Sequence, residues 1–327
     1  MSENPKPRLF ILGPQRAGTS VMLALARDVL GYACAPEGWI WGSVKALEDH
    51  FAAVRQELSD VEPREVAAFS IARLSTDALL DSYTAALLDL HAREWGDGPI
   101  ADKTPGPLAI AAAPAIKRRL PAAKFVVMKR RGIENVQSQQ RRFPDRPFDA
   151  ACAMWSDSMR AWLAVRDELG EAALEVDQAN LHRDANGVGE RLADFLGATD
   201  AAPLADFFRR RFTEKTKPGD YGEDIDLRNA GWDADQMQQF AEICGGMMGA
   251  FGYSLAGDGA TPSGLDLVAG AMVGRWIIAA RNPRTVAVRR GGLELLPDRG
   301  VDSPVTLRMP AALTPGRRRQ IRPFQAQ

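Results

Sequence analysis

Residues 8–20 read Arg-Leu-Phe-Ile-Leu-Gly-Pro-Gln-Arg-Ala-Gly-Thr-Ser, and their types and spacing fit one task, holding an anion. Gly13 and Gly18 stand five apart and are followed by Thr19 and Ser20. This is the frame of a phosphate-cradling loop, G-x-x-x-x-G-K-[ST], with Thr19 where the lysine would be. Glycines at both ends let the backbone turn tightly enough for its N–H groups to face inward. A helix starting near Gly18 adds its positive N-terminal end. The missing lysine is the one that reaches the β- and γ-phosphates of a nucleoside triphosphate. Arg16, inside the loop, is the cation instead. The loop suits an anion, but not the γ-phosphate of ATP.

A second anion signal lies further on. Arg130 leaves the end of the apolar run Lys124 to Met128, and Ser138 follows eight residues later, about two turns into the next helix. A guanidinium at a strand end and a helical hydroxyl can grip one phosphate together, the arginine bidentately. Alone, Lys129-Arg130-Arg131 would read as a solvated basic face; beside a phosphate loop the anion reading wins. Two further stretches carry candidate chemistry. Glu37 is an acid among large aromatics, Trp39 and Trp41, whose apolar walls would raise its pKa. Asp102-Lys103-Thr104-Pro105 stands at the expected end of a short strand.

The elements that must position these residues alternate. Leu9 to Leu12 reads as a buried strand, and Val21 to Leu30 as a helix packed on a sheet and stopped at Gly31. Tyr32 to Ser43 reads as a loop. Helical patterns cover Val44 to Leu58, Pro63 to Leu74 and Thr76 to Trp95, with Pro99 to Ala101 a short strand and Pro107 to Leu120 a helix. Lys124 to Met128 has the continuous apolar character of a central parallel strand. Helices follow at Ile133 to Arg142, Phe148 to Leu169 and Gly189 to Leu196, with a strand at Ala173 to Val176. Residues 198–232 read as polar and irregular, and Asp235 to Phe251 as a helix. Beyond a linker at Gly257 to Gly264, Leu265 to Ala280 reads as a helix and Val286 to Leu296 as a hairpin turning at Gly291-Gly292. The expected fold is α/β, a P-loop-like doubly wound parallel sheet flanked by helices. Residues 1–256 form its domain and 257–327 a small extension. In such sheets ligands collect at the C-terminal strand ends, where the loops at 13–20, 102–105 and 129–138 all fall.

These motifs resemble the sulfotransferases that use 3′-phosphoadenosine 5′-phosphosulfate (PAPS). Arg16-Ala17-Gly18-Thr19-Ser20 resembles their 5′-phosphosulfate loop, and Arg130 with Ser138 their 3′-phosphate site. The family often reads Arg-Asp-Pro where this chain has Arg130-Arg131-Gly132. The resemblance runs from about Arg8 to Tyr253 and includes Asp194-Phe195-Leu196-Gly197 and Phe251-Gly252-Tyr253. It implies that Gln15, Arg16, Ala17, Gly18, Thr19, Ser20, Arg130 and Ser138 bind PAPS. Glu37 lies 21 residues after Arg16, where tyrosylprotein-type and some bacterial carbohydrate-type members place a catalytic glutamate. Lys103, in Asp-Lys-Thr-Pro, is similar to the lysine of their Lys-x-Pro element. The implied catalytic set is Glu37 as base with Arg16 and Lys103 as cations, and no metal is expected because these cations supply the positive charge. His50, His91 and His182 sit on ordinary helix patterns, His91 as a helix-surface residue, and none is expected to act. Lys215, Lys217 and Tyr221 are candidates for a basic loop closing the cofactor site.

Composition narrows the partners. A formal charge of −1 over 327 residues gives no global case for nucleic acid or an anionic membrane. Three widely spaced cysteines and a polar N-terminus read as a reducing-compartment, cytoplasmic protein without integral membrane contact. A small-molecule or glycan acceptor is expected, and Trp39, Trp41 and Phe143 suit a carbohydrate, a phenol or a lipid-like natural product equally; the last 70 residues could make homo-oligomer contacts. Two other readings are a P-loop small-molecule kinase, with Asp102 holding magnesium, and an inactive nucleotide-binding scaffold. Thr19 counts against the first; finding Glu37 outside the cleft would favour the second.

Overall fold

The strand β1 (Leu9–Leu12) is apolar at every position because both of its faces are covered. In the computed structural model, which describes residues 7–35, 37–61, 74–96, 98–215 and 225–255 and four later strands, Leu9 and Ile11 point into one core and Phe10 and Leu12 into another. β1 is the centre of a five-stranded parallel sheet with β2 (Ala33–Ala35), β3 (Ile100–Lys103), β4 (Lys124–Lys129) and β5 (Ala173–Asp177), in the order β2-β3-β1-β4-β5. On the Leu9 face lie α1 (Thr19–Asp28), α7 (Asn180–Arg183), α8 (Ala185–Leu196) and α9 (Ala202–Lys215). Met22, Leu25, Val188, Leu192 and Phe208 fill that core. On the Phe10 face lie α2 (Gly42–Leu58), α3 (Thr76–Trp95), α4 (Pro107–Arg119) and α6 (Phe148–Leu169), contributing Val44, Leu87, Ile110 and Trp162. β4 alternates the same way, Val126 and Met128 to one face and Phe125 and Val127 to the other. The fold is therefore the doubly wound parallel sheet expected.

A third core joins α5 (Gly132–Arg142), α6 and α10 (Ala234–Ala250) around Trp155, Phe240 and Met248. Gly132 opens α5 inside it. A Cβ there would meet Met248 Sδ at 3.0 Å, Phe240 Cζ at 3.1 Å and Trp155 Cη2 at 3.2 Å, so the residue after Arg131 has to be small.

Several elements differ from expectation. Ala33–Ala35 is the edge strand β2, paired with β3, where the sequence reads as loop. β3 continues to Lys103 because Phe10 and Ile11 pair with Asp102 and Lys103, so both charged residues lie within the strand rather than beyond it. Residues 202–215, expected to be irregular, form α9, whose Leu204, Ala205, Phe207 and Phe208 are buried. Where a helix is expected over 265–280, the described residues form strands instead: β6 (Val268–Met272) and β7 (Arg275–Ala279) pair antiparallel. The β-branched and aromatic residues Val268, Trp276, Ile277 and Ile278 favour that pairing, and Gly270 weakens a helix. Trp41 is no wall of a site. It is buried edge-on against Phe10 at 5.3 Å. His91, expected on the helix surface, is fully buried with its ring tilted against Trp95 at 4.5 Å, and burial lowers its pKa.

Chain contacts group residues 1–281 in one unit and 282–327 in a second. In the second, β8 (Val286–Arg289) and β9 (Gly292–Leu295) form the expected hairpin. Arg289 pairs with Gly292, which places Gly292 in the strand rather than in the turn. The helix expected at 63–74, Lys217 and Tyr221 lie outside the described residues, as does the side chain of Lys215.

Candidate nucleotide and acceptor site

The loop between β1 and α1 is held in a conformation that few residues can adopt. Gly13 has φ +137°, and a Cβ there would lie 2.2 Å from the Met128 carbonyl oxygen of the neighbouring strand. Gly18 has φ +92°, with Gln178 Cγ 3.1 Å from where its Cβ would be. Between them Arg16 takes φ +67°, an uncommon state for a residue with a side chain. Three donors hold the loop from outside. Gly106 N–H donates to the Gly13 carbonyl at 2.9 Å, Asn135 Nδ2 to the Gln15 carbonyl at 2.9 Å and Arg130 to the Arg16 carbonyl at 3.1 Å. Ala17 is buried, and its N–H donates to the Pro14 carbonyl at 3.2 Å, closing the turn. That leaves an anion to the amides after it. Those of Thr19 and Ser20 open α1, where first-turn N–H groups have no intrahelical acceptor.

Two groups of side chains flank this loop. On one side Arg16 Nε donates to Ser138 Oγ at 3.3 Å, so Arg16, Arg130 and Ser138 form one connected cluster rather than two separate sites. On the other side the Lys103 ammonium pairs with the Glu37 carboxylate and lies 3.5 Å from Ser20 Oγ. One buried lysine thus links the loop to the acid. Glu37 is 42% exposed, so a lysine, rather than the apolar wall expected from the sequence, is its main neighbour. Gln15, Arg16, Gly18, Thr19, Ser20, Glu37, Arg130 and Ser138 line one cleft of about 740 Å³. Ala17 and Lys103 lie beneath its surface. Of the binding and catalytic residues expected from the sequence, all but Ala17 and Lys103 line this cleft.

Other participants carry no motif. Asn135 and Gln139 are fully buried one turn apart on α5, and Gln139 Nε2 donates to Asn135 Oδ1 at 2.8 Å. Arg146 donates to Gln139 Oε1 at 2.6 Å and to Gln15 Oε1 at 3.0 Å. This chain fixes both the main chain and the side chain of Gln15. Its one sequence signal is a pair of amides at i and i+4 of a helix. Arg131, where the related pattern has an acid, reaches away from the cleft. It donates to the carbonyls of Ser254 at 2.7 Å and Ile225 at 2.8 Å and pairs with Glu134. Arg141, Arg142, Phe143 and Gln178 complete the cleft lining.

Asp102 is the one acid on the central strands, and it is 2% exposed. Its Oδ1 accepts from Thr104 Oγ1 at 2.9 Å. Burial raises its pKa from 3.8 to about 6, against the opposing pull of Thr104 and Lys103. Folding therefore favours the protonated acid. The resulting stabilisation is complete below the unfolded pKa near 4 and is lost as pH rises through about 6. Between those limits the loss amounts to about 3 kcal/mol. Asp102→Asn, which cannot ionise, is expected to remove this component. Urea unfolding at several pH values between 4 and 7 checks it, and parallel pH dependence in parent and variant would contradict it.

Comparison with known proteins shows the family. The sequence matches the profile of the Sulfotransferase family over residues 7–202, more than half of the chain. Among solved structures, sulfotransferase STF9 from Mycobacterium avium is similar at 14% identity and TM-score 0.47, over 77% of this chain and 79% of that one. The sulfotransferase domain of the Synechococcus PCC 7002 olefin synthase is similar at 20% identity and TM-score 0.43, over 77% and 96%. Sulfotransferase STF1 from Mycobacterium tuberculosis H37Rv is similar at 18% identity and TM-score 0.39, over 73% and 77%. No curated protein matches the chain. With its profile match spanning the sheet from β1 to β5 and the loops that form the cleft, the chain belongs to the sulfotransferase family.

Proposed function

We propose that this transferase moves a sulfuryl group from PAPS to a hydroxyl of a small-molecule or glycan acceptor, within residues 1–256 and in the cytoplasm. The observation that carries the reading is the meeting of a glycine-bounded loop, the cations Arg16, Lys103 and Arg130 and the acid Glu37 around one cleft. The donor set fits a nucleotide with two anionic ends. Arg130 and Ser138 suit a 3′-phosphate, while Arg16, Ser20 and the first amides of α1 suit a 5′-phosphosulfate. PAPS, when bound, supplies the sulfuryl group. Glu37 takes the proton of the acceptor hydroxyl at its carboxylate, open to solvent on the side away from Lys103. Lys103 and Arg16 offset the negative charge that develops beside the loop. Asn135, Gln139 and Arg146 keep the loop in the shape that presents those amides.

The kinase alternative needs an acid facing the phosphates. Asp102 is buried, bonded to Thr104, and does not line the cleft, which disfavours that role. Calorimetric titration with adenosine 3′,5′-bisphosphate and, separately, with ATP and magnesium tests the proposal. Tight binding of the bisphosphate, weakened when its 3′-phosphate is removed, is expected. Preference for magnesium–ATP would overturn the proposal in favour of a kinase, and binding of neither would leave a scaffold.

A further inference from the structure

The segment between Glu37 and Trp41 is fastened at both ends. Glu37 is held by Lys103, and Trp41 is buried in the core against Phe10. Between them Trp39 takes φ +53°, a conformation unfavourable for a bulky side chain, and its indole is 51% exposed. The strained backbone thus displays a large apolar ring instead of burying it. The ring leans over Gly106, where a Cβ would meet Trp39 Cη2 at 3.9 Å and Met154 Sδ at 4.0 Å. Gly106 has φ +118° and donates to the Gly13 carbonyl, so the same glycine supports this surface and the nucleotide loop. Two residues on, in the first turn of α4, Leu108 is 73% exposed. Pro105, just before Gly106, lines the cleft with Glu37.

We infer that Trp39, Met154 and Leu108 form the acceptor shelf, and that the acceptor is an alcohol with an apolar hydrocarbon body whose hydroxyl lies at Glu37. This rests on the sulfotransferase reading and narrows its acceptor. The shelf is continuous with the acid through Gly38 on one side and through Pro105–Gly106 on the other. Its side chains offer hydrocarbon, a thioether and a single indole N–H. On so open a shelf a sugar gains little, since its hydroxyls would meet water rather than protein partners, whereas an alkyl or aryl body gains by leaving water.

The test is calorimetric titration of the full chain with hexanol, heptanol, octanol and nonanol, and with methyl glucoside as the polar comparator. Affinity is expected to rise about fourfold per methylene. Trp39→Gly removes the ring while easing the backbone, and it is expected to weaken octanol by about tenfold or more, as is Met154→Ala to a smaller degree. Chain-length independence, octanol affinity unchanged in both variants, or equal binding of methyl glucoside would each overturn the inference. Adenosine 3′,5′-bisphosphate titrated into the same proteins keeps the two ideas apart. If it binds while the alkanols fail, the shelf is wrong and the nucleotide reading stands. If the alkanols behave as stated while it fails, the apolar alcohol site stands and the nucleotide reading falls.

Discussion

Glu37→Gln is expected to bind adenosine 3′,5′-bisphosphate with the affinity of the parent protein and to lose turnover by 10²–10⁴-fold, the range a positioned general base contributes. The amide has the size of the carboxylate, and its oxygen still accepts from the Lys103 ammonium, so the link from Lys103 to Ser20 is preserved. What it lacks is an oxygen able to take up the acceptor's proton. Because Lys103 is buried and Glu37 is its acidic partner, part of any loss could come from a displaced lysine. Two readouts separate these causes. A missing base lowers kcat more than it changes the KM of the donor. A displaced lysine lowers donor affinity. Parent-like turnover in the variant would show that the proton goes elsewhere.

Much of this candidate site could be read from the chain because its loop and strand-end parts are local. The loop from Gly13 to Ser20 announces itself through glycine spacing, and the structure explains the spacing: both glycines have positive φ, and Gly13 has no room for a Cβ against Met128. Arg130 and Ser138 are linked by helix periodicity alone, eight residues along one strand–helix unit. The bounds of Thr76–Trp95 and Phe148–Leu169 were legible because a Ser75 cap, Pro147 and the glycines at 96 and 170 mark their ends. What stayed hidden depends on partners far away in sequence. Three small residues, Ala33 to Ala35, make a strand only because β3 offers an edge. Lys103 joins a strand because Ile11 pairs with it, and its salt bridge to Glu37 closes a separation of 66 residues. The clamp of Asn135, Gln139 and Arg146 on Gln15 spans up to 131 residues and consists of residue types that usually face water. Arg131 shows the same limit. Its charge suggested the nucleotide, yet the carbonyls of residues 225 and 254 claim it.

Arg130→Ala is expected to weaken adenosine 3′,5′-bisphosphate by about 10²–10³-fold, as loss of two charge-assisted hydrogen bonds to one phosphate implies. Adenosine 5′-phosphate, which lacks the 3′-phosphate, should lose less than about tenfold. That smaller loss has its own origin. Arg130 also donates to the Arg16 carbonyl at 3.1 Å, so removing it loosens a loop residue already held at φ +67°. The difference between the two nucleotides, measured by calorimetry on parent and variant, cancels the effect on the loop and isolates the phosphate. Arg130→Lys refines the test. A lysine keeps the charge but not the planar fork, so it should recover only part of the bisphosphate affinity. Ser138 provides the internal reference, since its hydroxyl already accepts from Arg16 and remains in the cleft when Arg130 is removed. Equal losses for the two nucleotides would mean that Arg130 only shapes the loop. The 3′-phosphate would then have to be read by other cations lining the cleft, of which Arg141 and Arg142 are the nearest along α5.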